Sequence, residues 1–319
     1  MNKGPSISVI VPTYNRDASL MECLVSVMVQ DYAGQMEIIV VDQGRGHSQD
    51  VLEFFEQYRR EITRIDQQVP NLPKARNTGV AAARNELVIF VDDDMVLPAG
   101  ALARITGYFP PDSRSAVAGL PISDQAPESS FDDYARLYGE RIRNADSGLI
   151  EHPCYIPSPF CIPAELYRSL GGFDENLGML NPTAYGEDYE FWNRAALSGV
   201  RLFIDPGLRV RHRDHLAGGC VSRSTDPAMA LRYHMRSMVY IRLKHHGRLG
   251  AGGWLQLARG YLLNREVLRR GPREALRNLR TIRMAIQEVK AFMAKNSAKR
   301  AARGIVRTHS RWPRKLWTS

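Results

Sequence analysis

An α/β fold, a mostly parallel sheet with helices on both faces, is predicted by three features of this 319-residue sequence. Short apolar runs alternate with helical patterns through the first third of the chain. Polar residues close each apolar run at the same end. The acidic and basic residues are also divided unevenly between the two parts of the chain.

The first apolar run, Ile7-Ser8-Val9-Ile10-Val11, alternates as a strand should. A helical pattern follows from Ala18 to Val29, then a strand from Glu37 to Val41 and a helix from Val51 to Arg60. A further helix is expected from Lys74 to Ala83 and a strand from Leu87 to Val91. Such alternation builds parallel sheets whose ligands sit beyond the carboxyl ends of the strands. Thr13-Tyr14-Asn15, Asp42-Gln43-Gly44 and Asp92-Asp93-Asp94 all fall at that edge. From Pro110 to Pro163 the signal weakens to acceptor-side loops, with a charged helical stretch from Phe131 to Arg143 and an extended Cys154 to Pro157. Order returns with Ala164–Leu170, the Gly171-Gly172-Phe173-Asp174 turn, a helix at Glu187–Leu197, and two strands at Arg201–Ile204 and Leu208–Arg211.

Cutting the chain after Asp226 separates its charge. Residues 1–226 hold 21 of the 43 Lys and Arg and 31 of the 34 Asp and Glu, a net −10, which leaves +19 on the remainder. The expected organisation is a catalytic domain over 1–226 and a basic helical extension over 227–319. In that extension Leu276, Leu279, Ile282, Ile286, Val289 and Met293 form an apolar stripe beside Arg273, Arg277, Arg280 and Lys290, an amphipathic basic helix. The Lys/Arg-rich end from Lys295 onward is expected to be poorly ordered.

No basic-then-apolar leader is visible at the start, and the most apolar window, Gly252–Leu263, is broken by Gln256 and Arg259. The chain is therefore expected not to cross a membrane by itself. Cys23, Cys154, Cys161 and Cys220 form no CxxC pair and read as buried free thiols of a reducing cytosol. No solenoid-length repeat is evident.

The stretches Ser8 to Arg16, Ile38 to Asp42, Lys74-Ala75-Arg76-Asn77-Thr78-Gly79 and Val91 to Asp94, followed by Gly171 to Glu175 and Gly186-Glu187-Asp188-Tyr189-Glu190, resemble glycosyltransferase family two in order and spacing. The resemblance covers roughly residues 6 to 215. It implies the GT-A fold, a Rossmann-like nucleotide-diphospho-sugar transferase domain, here with a C-terminal helical extension. It also implies inverting transfer from a nucleoside diphosphate sugar, most simply a UDP-sugar, with Mn2+ or Mg2+ as cofactor.

A departing diphosphate develops charge that a hard divalent ion held by carboxylates can neutralise. The resemblance makes Asp94 the direct metal ligand and places Asp92 near the ribose or a metal-bound water, with His212 as a third ligand, since imidazole can join carboxylates around manganese. Pro12, Thr13, Tyr14 and Arg16 would line the nucleotide, as would Arg76, Asp92 and Asp93, and Asp42 would accept the imide N–H of uracil. Gln43 and Arg45 depart from the family's usual acidic and small polar residues, which loosens the assignment of the base. An inverting transfer needs one base for the acceptor hydroxyl, and Asp188 at a helix start has that place, with Glu187 orienting it or binding the acceptor.

Each feature has a plainer reading. Asp92–Asp94 alone is equally a solvated acidic turn, Asp42 a helix cap, Arg76 a surface arginine, Glu187-Asp188 a first helical turn favoured by the macrodipole, and His212 a structural histidine. It is their joint order that argues for chemistry. Phe191 and Trp192 read as core. A sugar nucleotidyltransferase would carry a Gly-rich basic loop where Pro12 to Arg16 stands. An inactive binding protein of the same fold would not need Asp92, Asp94 and Asp188. The basic extension attracts anionic partners without sequence preference. It lacks a nucleic-acid motif, and an anionic membrane carrying lipid-linked acceptors fits it better, giving a cytoplasmic protein at the inner membrane face.

Overall fold

The computed structural model describes residues 4–109, 113–124, 143–144, 148–181, 186–213 and 226–302. By internal contacts the chain divides into two compact units, one of Met1–Glu175 with Glu187–Arg223 and the other of Asn176–Gly186 with Ser224–Ser319.

In the first unit the strands are β1 (Ile7–Thr13), β2 (Met36–Asp42), β3 (Ile62–Asp66), β4 (Leu87–Phe90), β5 (Met95–Val96), β6 (Ser115–Ser123), β7 (Arg143–Asn144), β8 (Ile150–His152), β9 (Phe160–Pro163) and β10 (Arg201–His212). They form one sheet in the order β3-β2-β1-β4-β9-β6-β10-β8-β7, with β5 pairing separately to β10. β3, β2, β1 and β4 are mutually parallel, β9 runs antiparallel between β4 and β6, and β6 is parallel to β10.

Alternation along the central strands decides which side chain enters which layer. Ile7, Val9 and Val11 join Ile38, Val40, Leu87 and Ile89 in one buried cluster, while Ile10 joins Ile39, Val41, Val88 and Phe90 in the other. The helices of this unit are α1 (Asp17–Met28), α2 (Gln49–Gln57), α3 (Leu72–Ala82), α4 (Ala101–Thr106), α5 (Ala164–Ser169) and α7 (Glu187–Leu197); α6 (Glu175–Leu180), between the last two in sequence, belongs from Asn176 onward to the second unit. Leu20, Leu24 and Val27 of α1 fill the first cluster, and Phe191 and Trp192 of α7 the second, where both are fully buried. They are core residues, as their sequence spacing suggested.

Two glycines bring elements unusually close. A Cβ on Gly79 would lie 2.4 Å from Ile10 Cγ2, so only glycine lets α3 rest directly on β1. Gly172 has φ +65°, and a Cβ there would meet Asn77 Oδ1 at 2.5 Å. α3 itself starts at Asn71, whose side chain accepts from Lys74 N at 3.0 Å, with Pro73 in the first turn.

The structure differs from the sequence reading in several places. The two strands expected at 201–211 are one strand, β10, with a register shift between Asp205 and Arg209 where Asp205 accepts from Gly207 N at 2.9 Å. Of the expected helix at 131–143, residues 131–142 lie outside the described residues and Arg143 belongs to β7. β3, β6, β8, β9 and α4 had no counterpart in the pattern. Cys23 and Cys161 are buried free thiols pushed up by burial, Cys154 is a free thiol that is only half-buried, and Cys220 lies outside the described residues.

Among its described residues the second unit holds, besides α6, the helices α8 (Pro227–Lys244), α9 (His246–Leu262), α10 (Arg265–Arg270) and α11 (Pro272–Ala302). Of the apolar stripe, Ile282 and Val289 are buried along with Ala285, and α11 packs on α8 with Tyr240 against Phe292 at 6.4 Å between ring centroids. Leu279, Ile286 and Met293 of the stripe are half-buried, and Leu276 is exposed, at 54%. α11 continues to Ala302, so the basic end is helical for two turns past Lys295, and 303–319 lie outside the described residues. Among the described residues no helix is long and apolar enough to cross a membrane.

Candidate active site

At the carboxyl edge of β1 and β4, the turn Asp92-Asp93-Asp94 faces the loop Thr13 to Arg16. Asp93 is buried and points inward: it accepts from Thr13 Oγ1 at 2.7 Å and from Arg16 Nη1 at 2.9 Å. Burial pushes its carboxyl up to about 6, against the opposing charge of Arg16. Asp93 thus ties the two loops together, whereas the expectation had it on the nucleotide. Pro12 and Thr13 are enclosed within β1, while Tyr14 is half-buried at the loop.

Asp94 is placed by strand pairing. β5 and β10 are antiparallel with His212 opposite Met95, and Arg213 N donates to Asp94 O at 2.9 Å. This register sets His212 Nε2 3.4 Å from Asp94 Oδ1, while Arg16 Nη1 donates to Asp94 Oδ2. Burial alone would raise Asp94, but the bond with His212 and the Arg16 charge hold it below the usual carboxylate range. Among the described residues, no group of three or more His, Cys, Asp or Glu side chains is arranged to hold a metal ion. Asp94 and His212 still set a carboxylate beside an imidazole, a donor pair that suits a divalent ion. Asp92, 29% exposed, turns instead toward α3.

There Arg76 is the centre. Its side chain is 2% exposed; Nη1 donates to Asp188 Oδ1 at 2.6 Å and lies 3.8 Å from Glu187 Oε1, and Nη2 donates to Asp92 Oδ1 at 3.2 Å. The face of Phe173 lies 4.9 Å below the guanidinium. Burial alone would favour loss of the Arg76 proton, but the carboxylates outweigh it and keep the group charged. Glu187 is pushed up to about 8 by burial and by the neighbouring Asp188, against the pull of Arg76. Its Oε2 is buried without a hydrogen-bond partner. Burial raises Asp188 too, opposed by Arg76, yet its side chain keeps 28% of its surface open. A partly accessible carboxylate with a raised affinity for protons is equipped to take one.

The Gly171–Asp174 turn supports this floor from beneath. Arg194 on α7 pairs with Glu190 at 2.9 Å and donates to the carbonyls of Gly172, at 2.6 Å, and Leu170. Asn77, one residue after Arg76, accepts from Phe173 N at 2.9 Å and donates to its carbonyl at 2.9 Å.

Asp42 stands apart from these groups. Its side chain is 1% exposed; Oδ1 accepts from Gly44 N at 2.8 Å, and Oδ2 from His47 Nε2 at 2.7 Å and Arg64 Nη2 at 2.8 Å. Gln43 is buried too and binds the chain at Asn71 N, 2.7 Å away. His47 and Arg64 were not foreseen, since a histidine in a loop and an arginine in an unrecognised strand carry no pattern.

A family model described as Glycosyl transferase family 2 matches residues 8–170. The chain belongs to glycosyltransferase family 2. An N-acetylglucosaminyltransferase of Bradyrhizobium elkanii is 34% identical over 127 residues, 38% of this chain and 69% of that protein. The matches take in 25% and 44% of the length of two other curated relatives, so the chain spans less than half of each. Among solved structures, the mannosyltransferase PcManGT from Pyrobaculum calidifontis, in complex with GDP-Man and Mn2+, is similar at TM-score 0.58 and 19% identity over 94% of this chain and 81% of that one. S. aureus TarS in complex with UDP-GlcNAc is similar at TM-score 0.57 and 18% identity over 90% and 83%. The family 2 chain therefore has the GT-A fold, and its β10, α7 and α3 are elements of that fold.

Proposed function

We propose that this protein is an inverting, metal-dependent glycosyltransferase that moves a sugar from a nucleoside diphosphate sugar to a hydroxyl of a saccharide or lipid-linked acceptor. The observation that carries the reading is Arg76, one buried guanidinium shared between Asp188 and Asp92. It couples the residue suited to deprotonate an acceptor to the turn suited to hold a diphosphate.

In the proposed reaction the acceptor oxygen attacks the anomeric carbon as Asp188 takes its proton. The bond from that carbon to the diphosphate oxygen breaks on the opposite face, and the diphosphate leaves with the electron pair. When Asp188 becomes neutral its hold on Arg76 weakens, which frees guanidinium charge for the Asp92 side as negative charge grows there. Glu187, whose hold on a proton is strengthened by the same burial and by the charge of Asp188, stands beside the base with its Oε2 directed to the acceptor. Asp94 and His212 would hold the divalent ion, which when bound supplies charge neutralisation for the diphosphate. Tyr14 and Arg16 would line the nucleotide, with Thr13 and Asp93 fixing their loop.

The named activity of the Bradyrhizobium relative and the ligand of the TarS structure put UDP-GlcNAc first among donors to try. Release of the nucleoside diphosphate from UDP-GlcNAc, GDP-Man and other nucleotide sugars would be followed with Mn2+ and extracted saccharide or lipid acceptors. Activity that is lost on chelation, and that falls at least a hundredfold in Asp188→Asn and Asp94→Ala, is expected. Turnover unaffected by either substitution would overturn the assignment.

A further inference from the structure

His47 sits between two carboxylates. Its Nδ1 is 2.6 Å from Asp17 Oδ1 and its Nε2 is 2.7 Å from Asp42 Oδ2, and its side chain is 2% exposed. Ionised carboxylates only accept hydrogen bonds, so both ring nitrogens must donate, which only the imidazolium can do. The charged neighbours are Asp17 at the start of α1, Asp42 at the end of β2, and Arg64 on β3, which spans Asp42 and Asp66 at 2.8 and 3.1 Å. From α2 the Phe55 ring packs against it at a steep angle, with ring centroids 6.1 Å apart.

The bridge closes a loop over the nucleotide-facing edge. Residues 43–48 leave β2, and their two ends are pinned to the same pair of acids: Gly44 N donates to Asp42 Oδ1 at 2.8 Å and Ser48 N to Asp17 Oδ2 at 2.7 Å. Arg45 N reaches Asn15 Oδ1 at 3.3 Å, beside Tyr14. Asp42 is enclosed by these bonds, so it holds the loop rather than presenting an open carboxylate.

We propose that His47 is a positioning residue of the donor site: as an imidazolium joining Asp17 to Asp42, it fixes the 43–48 loop against Asn15 and so sets the affinity for the nucleoside end of a nucleotide sugar. The inference rests on the donor-site reading above. Burial alone would lower His47's affinity for its proton, but Asp17 and Asp42 raise it above the ordinary histidine value. The bridge is intact below that raised value. As pH rises through it, one of the two N–H donors is lost, and the loop is released from one acid.

The test is calorimetric titration of UDP with Mn2+ present, across pH, on the full chain and on His47→Gln and Asp17→Asn. Glutamine has one amide donor group and cannot span both acids. The expected result is a Kd for UDP raised about tenfold in His47→Gln, with kcat at saturating donor nearly unchanged. Affinity of the unaltered protein should weaken as pH rises through the His47 value, and this dependence should be flat in His47→Gln; the titration of UDP itself is common to both. Asp17→Asn should raise Kd as well, and combining it with His47→Gln should add little, because both break one bridge. A protein that binds no nucleoside diphosphate overturns the donor-site reading itself. If UDP binds and both variants show unaltered Kd and pH profile, the role of His47 is overturned while that reading stands. A lowered melting temperature with unaltered Kd also overturns it, since a purely structural role would do that alone.

Discussion

Arg76 Nη1 donates to Asp188 Oδ1 at 2.6 Å while the same guanidinium reaches Asp92, so one positive charge, 2% exposed, serves two elements far apart in sequence. Replacing Arg76 by Met leaves Asp92, Glu187 and Asp188 clustered without a cation. Loss of one partner from a buried ion pair costs about 3–5 kcal/mol, so Arg76→Met should lower stability by that order in urea unfolding. Arg76→Lys should recover much of the stability but little activity, because an ammonium cannot span both carboxylates.

Asp188→Asn should behave differently. The amide oxygen can still accept from Arg76, and one raised carboxylate is removed, so stability should hold or rise slightly. The rate should fall by about 10²–10⁴ with donor binding preserved. Single-turnover kinetics beside UDP titration would separate the two effects.

Glu187 gives a pH prediction with a definite sign. Its folded value, about 8, lies above its ordinary value of 4.5. The folded state therefore binds more protons between those limits, and the Glu187 contribution is full below the ordinary value and lost as pH rises through the folded one. Glu187→Gln should flatten this fall, which melting temperatures measured from pH 5 to pH 9 would reveal.

Metal dependence should report on Asp94 and His212. Asp94→Ala should abolish stimulation by Mn2+, and His212→Ala should raise the Mn2+ concentration needed for half-maximal activity by about 10-fold or more. Neither change should lower the UDP affinity measured without metal by a comparable factor. Equal Mn2+ activation curves for His212→Ala and the unaltered protein would remove His212 from the ion site.

Arg194 anchors the turn beneath the site. Its loss would strand Glu190, whose side chain is 0% exposed, and free the carbonyls of Leu170 and Gly172. Arg194→Ala should destabilise by about 3–5 kcal/mol, and adding Glu190→Gln should restore part of it. Chemical denaturation of the single and double variants would show the coupling.

Much of this was legible from period and punctuation. β1, β2 and β4 read as near-continuous apolar runs because both of their faces are buried, and each is followed by a polar cluster that the structure sets at one edge. The pairing of Asp94 with His212 was approachable only by resemblance, since it depends on the register between β5 and β10 across more than a hundred residues. β3 escaped notice because Thr63 and Arg64 are exposed and break the apolar run at an edge strand. β9 has four residues, Phe160–Pro163, and ends on a proline. Asp42 and Asp93 show a limit of another kind: sequence placed them at the site edge, and both are there, but their carboxylates face the protein's own loops. Nothing local tells an aspartate that binds a ligand from one that ties two turns together.

The place of β9 has a consequence for the chain as it is made. β4 is complete at Phe90, but its second neighbour begins only at Phe160, roughly seventy residues later. At 5–20 residues per second the ribosome needs about 4–14 s to add them. During that interval Leu87-Val88-Ile89-Phe90 has a finished, apolar and unpaired edge beside a locally folded β1–β2–β3 half, the kind of edge that recruits other strands. The nascent chain is therefore most exposed to misassembly between the emergence of β4 and that of β9, and chaperone capture should peak on ribosome-bound chains of that length.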